Sequence, residues 1–249
     1  MNIKSGLLFL LLISFTAARA QNWGGGVDDE NVHFGFTFNY TNSTYKIQRK
    51  PDWRAPFRDP QNGALLTDSL SAIYSKSSPG FGIGFVVNGR ISNNLDVRMT
   101  PTLVFSDRLA EYEYVQPSVN NTAFSTYEQK VSATLVEFPL GIKIKSNRRN
   151  NFRAYMLYGA KYSFDIASKK KTDDAGQDYI YKLLKNRKNY LSYEAAFGMD
   201  LYFEYFKMSP EIKLSYSMNN LLNNEEANPY NAPIDKLMLR HVTFSLFFE

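Results

Sequence analysis

Proton transfer near neutral pH calls for histidine, usually beside a serine or a carboxylate, and the 249-residue chain has two, His33 and His241. Both fall on the same parity of strand-like segments at the two ends of the sequence. At about 3.3 Å per residue they stand roughly 20 Å apart, too far to share a site. His241 has Ser245 on its own strand face, which leaves a serine–histidine dyad open beside the plainer reading of a packed, hydrogen-bonded histidine. Cysteine is absent, which removes thiol nucleophiles, disulfides, thiolate metal sites and a lipidated cysteine. No glycine-rich phosphate loop and no metal-ligand cluster stands out, so no catalytic, metal or cofactor site is expected.

Charge occurs in two patterns. Arg98, Glu137, Lys143, Arg153, Lys161, Asp165, Glu194, Asp200, Glu211 and Lys213 share one parity of their segments, with both signs represented. Buried charges are tolerable only when paired, so the expected arrangement is an interior ion-pair network, with a narrow polar conduit as the alternative. The second pattern is basic: Lys169, Lys170, Lys171, Lys182, Lys185, Arg187 and Lys188 outnumber Asp173, Asp174 and Asp178 in one connection. Such a loop suits the phosphates of lipopolysaccharide, although charge runs are more often solvated surface. The net charge of +5 is too small to point to nucleic acid.

The segments that must carry these side chains alternate with a period of two. Phe34, Phe36, Phe38 and Tyr40 lie on one face, with Gly35, Thr37 and Asn39 on the other. The same alternation runs through 81–88, 95–106, 136–144, 152–165, 191–201, 207–218 and 241–248. An aromatic content of 15% favours strands. Mean hydropathy of −0.37 excludes a bundle of membrane helices, but not a barrel whose strands show lipid only every second side chain. Most of these segments exceed the usual strand of a soluble sandwich and can cross a bilayer when tilted. The expected fold is all-β, an eight-stranded antiparallel up-and-down transmembrane β-barrel. Pro101 and Pro210 on the apolar parity and Pro139 on the polar one mark irregularities, because proline removes a ladder donor. Arg240 is in phase with an apolar set and has to sit at the membrane interface.

Lys4, the apolar stretch 6–15 and Ala18-Arg19-Ala20 read as a cleaved signal peptide over 1–20. A periplasmic N-terminal segment over 21–32 and the barrel over 33–249 follow. Connections near 89–94, 146–151 and 204–206 are short, whereas those near 46–79, 107–126, 166–189 and 219–236 are long. Long and short alternate, the pattern of extended extracellular loops over tight periplasmic turns. Tyr112, Tyr114, Tyr127, Tyr162 and Tyr190, at the loop bases, read as an interfacial girdle. Eight strands enclose an interior that side chains can fill, so no wide pore is expected.

The stretch Leu135-Val136-Glu137-Phe138-Pro139-Leu140, running on through Lys143, Asn151-Phe152-Arg153-Ala154-Tyr155 and Asp165-Ile166-Ala167-Ser168-Lys169-Lys170-Lys171, resembles the PorT (SprT) family. His33-Phe34-Gly35-Phe36 and Ser217-Met218-Asn219-Asn220-Leu221-Leu222 resemble it too. The resemblance implies a non-enzymatic outer-membrane barrel required by the type IX secretion system, which exports cargo bearing a carboxy-terminal sorting domain and in some bacteria supports gliding. Other subunits of that system would be its protein partners, and outer-membrane lipid and lipopolysaccharide its surroundings. No catalytic residue comes with the family. Two other functions stay open: a structural or adhesive small barrel of the OmpA/OmpX-like type, and an outer-membrane lipid-modifying hydrolase.

Overall fold

The computed structural model describes residues 31–115, 126–166, 176–223 and 228–249. The expected signal peptide, nearly all of the expected 21–32 segment, and Lys169, Lys170 and Lys171 lie outside the described residues. Among the described residues ten strands follow one another: β1 (Val32–Arg49), β2 (Leu70–Lys76), β3 (Ser78–Ser92), β4 (Leu95–Met99), β5 (Thr102–Tyr114), β6 (Thr126–Lys145), β7 (Phe152–Asp165), β8 (Asn189–Tyr202), β9 (Lys207–Ser217) and β10 (Ile234–Phe248). They form eight staves, because β2 continues into β3 past Ser77 and β4 into β5 past Thr100 and Pro101. The staves close in a ring: β1 pairs with β10 on one side and β3 on the other, Phe36 lying opposite both Phe248 and Phe85. Phe36 and Phe248 stack at 5.1 Å across the closing seam. A closed ring leaves no strand edge to recruit another chain.

The expected 95–106 segment is two strands. Pro101 has no N–H to offer the ladder, but Phe85 N–H donates to Pro101 O at 3.0 Å and Thr100 N–H to Pro139 O at 3.1 Å, so the stave holds across the gap. Strand structure also reaches further outward than expected. The 46–79 connection contains the end of β1 and all of β2, which pairs with β5 from Leu70 and Tyr114 to Lys76 and Leu109. The 107–126 connection likewise contains the upper part of β5. Above Tyr40 the outward residues of β1 are Asn42, Thr44 and Lys46, so the apolar–polar contrast that announces a strand disappears while the ladder goes on. The opposite ends turn tightly, β3 to β4 through Asn93 and Asn94, and β6 to β7 with Asn150 in the left-handed region at φ 52°, which asparagine tolerates.

The pleat is inverted relative to a soluble domain. Apolar side chains such as Phe34, Phe81 and Phe85 face outward, Phe85 being 72% exposed, while charged residues are buried inside.

Candidate functional site

Inside the short-turn end of the barrel, β4, β6, β8 and β9 bring four charges together. Lys143 Nζ donates to both oxygens of Asp200 at 2.7 and 2.8 Å, and Ser209 Oγ donates to the same carboxylate at 2.7 Å. Arg98 donates to Glu211 at 3.1 Å and to Glu249 at 3.2 Å. Tyr155 OH donates to Glu211 at 2.9 Å, and the Arg98 guanidinium sits 5.1 Å from the Tyr155 ring centre and 4.6 Å from that of Phe247. Tyr155 reaches this position by lying over Gly198, where any Cβ would stand 2.4 Å from its Cζ.

One level higher, Lys161 pairs with Glu137 at 2.9 Å and Lys213 with Glu194 at 3.3 Å and Glu211 at 3.5 Å. Thus eight of the ten interior residues singled out from sequence form two tiers around the barrel axis. Arg153 is buried opposite Asp200, and Asp165 is buried at the far end of β7, apart from the tiers. Sequence reasoning left out Asp96, Lys145, Lys207 and Glu249. Lys145 pairs with Asp96 at 2.6 Å and Lys207 with Glu249 at 2.7 Å. Each shares the inward parity of its strand, so parity alone could have found them; Glu249 extends the series Thr243, Ser245, Phe247.

Among the described residues little space is left around the upper tier. The cavity bounded by Glu137, Lys161, Glu194 and Lys213 measures about 20 Å³, room for about one water. The conduit alternative is therefore not what these side chains build.

Nor do the histidines build a site. His33 lies opposite Asn88 near the short-turn end, while His241 lies opposite Ser43, ten residues further along β1, a separation of roughly 33 Å. The expected 20 Å was too small because tilted barrel strands are staggered. His241 Nδ1 is 3.5 Å from Lys161 Nζ. Ser245, four residues along an extended strand, is roughly 13 Å away, beyond any hydrogen bond, so the dyad does not form.

The outer end is closed by an apolar cap. Leu184, Leu221, Leu222 and Tyr230, from two of the long connections, pack against Tyr45, Leu70, Ile73, Tyr112, Tyr114, Tyr190 and Leu237 of the wall. Side chains tie the connections down. Gln129 Oε1 accepts from Leu184 N–H at 3.1 Å, Tyr112 OH donates to Tyr230 O at 2.7 Å, and Tyr230 OH donates to Ile180 O at 2.7 Å. Tyr127 stacks on Tyr230 at 5.0 Å. Burial holds the Tyr230 phenol above its ordinary range, so it stays a neutral donor.

This corrects the girdle expectation. Tyr112, Tyr114 and Tyr190 are buried inside the wall, because the strands continue past the bilayer and these residues keep the inward parity of Val104 and Ser106 on β5 and of Ser192 on β8. Tyr127 packs on the cap, and of the five only Tyr162 faces out. Of the basic loop residues that are described, Lys182 and Lys185 are half-buried on either side of Leu184, while Arg187 and Lys188 are exposed. Arg187 N–H donates to Leu221 O at 2.7 Å, stitching two connections together.

The model of the family described as "Outer membrane protein beta-barrel domain" matches residues 19–223. The chain belongs to that family. With a closed eight-stave ring, an apolar exterior and a charged interior, it is a small outer-membrane β-barrel located in the outer membrane. No curated protein matches the sequence. Among solved structures it is similar to Neisserial surface protein A, at 8% identity over 88% of this chain and 98% of that one, with a TM-score of 0.40. It is also similar to OprG from Pseudomonas aeruginosa, at 12% identity over 86% and 93%, TM-score 0.41. A third is Ail of Yersinia pestis, solved with the heparin analogue sucrose octasulfate, at 10% identity over 88% and 99%, TM-score 0.35.

Proposed function

We propose that this is a closed, non-enzymatic outer-membrane barrel that acts through its outer surfaces, as a structural or adhesive element, and conducts nothing through its lumen. The observation that carries this reading is the double seal: two tiers of ion pairs fill the interior and the Leu184–Tyr230 cap covers it. A sealed lumen leaves the extracellular end and the barrel wall as the working surfaces.

A second reading is an accessory role in type IX protein export. It is supported by the resemblance of Leu135 to Leu140, Asn151 to Tyr155 and the terminal stretches to the PorT family, and the sealed lumen restricts that role to assembly or scaffolding. Gene deletion separates the two. Loss of many sorting-domain cargoes from the secretome supports export; altered adhesion or envelope integrity with intact secretion supports the first reading.

A further inference from the structure

Just above the apolar belt, β1 and β10 turn three cations outward. Lys46 lies opposite Met238, Thr44 opposite Arg240 and Gln48 opposite Lys236. Arg240 and Lys236 are therefore the two diagonal neighbours of Lys46, each about 7–8 Å away along the sheet, and they stand roughly 13 Å from one another along β10. All three are exposed. Among the described residues none of them forms an ion pair; Lys46 Nζ lies 5.7 Å from the centre of the Tyr216 ring instead. Asp235, exposed where the β1–β10 register shifts, pairs with none of them.

The next stave beyond β1 and the wall past it differ at this height, since Lys76 on β2 pairs with Glu111 at 2.5 Å and Lys130 on β6 with Asp107 at 2.8 Å. Three unpaired like charges at such spacings repel, and an anion between them turns that repulsion into attraction. Their height says which anion. Arg240 stands one outward position above Val242, whose partner on β9 is Leu214, and both of these are exposed and apolar. Tyr216, opposite Arg240, packs against Tyr193 with ring centres 5.6 Å apart, an amphipathic pair of the kind that marks headgroup level. The long connections lie on the same side, which makes this the outer leaflet.

We propose that Lys46, Arg240 and Lys236 form a site on the barrel wall for the phosphorylated headgroup of an outer-leaflet glycolipid of the lipopolysaccharide type. Charge-assisted hydrogen bonds from the guanidinium and ammonium groups hold the phosphate, while the apolar rows below take the acyl chains. None of its three residues belongs to the basic connection between β7 and β8, and the site serves a barrel working in adhesion or in export alike.

The test is the full-length protein in phosphatidylcholine nanodiscs, titrated with diphosphoryl lipid A and read by native mass spectrometry. Removing one surface cation should weaken binding about fivefold. Lys46→Gln with Arg240→Gln should therefore lose about twentyfold, Lys236→Gln alone about fivefold, and Lys130→Gln on the opposite wall less than twofold. Excess inorganic phosphate should not displace the lipid. Unchanged binding in both the double and the Lys236→Gln variants, an equal loss in Lys130→Gln, or full displacement by phosphate overturns the proposal.

Discussion

Arg98 on β4 and Glu249 at the end of the chain are joined by an ion pair of 3.2 Å, although β3 and β1 stand between their strands in the ring. The contact crosses the barrel floor instead of following the wall, and Lys207 holds the same carboxylate at 2.7 Å. The terminal residue is thus part of the interior network.

Arg98→Met should test what that network is worth. It leaves Glu211 and Glu249 without their shared cation, and breaking a buried pair in this way typically costs ~3–5 kcal/mol. Lys130→Met, removing the solvent-exposed pair with Asp107, should cost no more than ~1 kcal/mol. Urea unfolding in detergent, followed by heat-modifiable migration, reads both. Equal losses would mean the interior pairs carry no special weight.

Gly198→Ala is expected to destabilise the barrel by ~1–3 kcal/mol, the usual cost of overpacking, because the added methyl meets the Tyr155 ring at 2.4 Å. The same substitution in a Tyr155→Leu background should cost less than the sum of the two single changes, since neighbours in contact are not additive. Strict additivity in the double-mutant cycle would remove the close approach as the cause.

Phe197 points outward from β8 between Met156 and Ile212. Phe197→Arg should lower the stability of the inserted barrel by ~2–4 kcal/mol if it lies near mid-bilayer, read as a smaller heat-modifiable fraction. Full tolerance would show that this face does not meet lipid.

The staves and the sign of each face were legible because strand periodicity is a local property. A period of two separates Phe197 from Glu194 whatever the rest of the chain does. The same parity places Arg98, Lys143 and Asp200 inside, yet it does not say which cation meets which carboxylate, since that depends on stagger and on contacts across the floor such as Arg98 with Glu249. The cap was not legible. Leu184, Leu221, Leu222 and Tyr230 sit in polar connections without periodicity, and their burial follows only once the wall beyond the bilayer gives them a surface to cover. The tyrosines of that wall looked like a girdle because their strands were expected to stop at the membrane.

Orientation has its own test on intact cells. A cysteine replacing exposed Arg187, in the connection before β8, should react with a membrane-impermeant maleimide. One replacing exposed Asn147, in the turn between β6 and β7, should not react until the outer membrane is opened. The reverse pattern would turn the barrel over and remove the outer-leaflet lipid site with it.

The claim on which the functional reading turns is that the lumen is sealed. Purified full-length protein, inserted into a planar lipid bilayer and shown to be folded by heat-modifiable migration, should give no stable conductance steps above the bare membrane, because ion pairs and the cap leave space for only about one water between the tiers. Reproducible unit conductance from correctly folded protein would contradict the account and reopen the interior as a pathway.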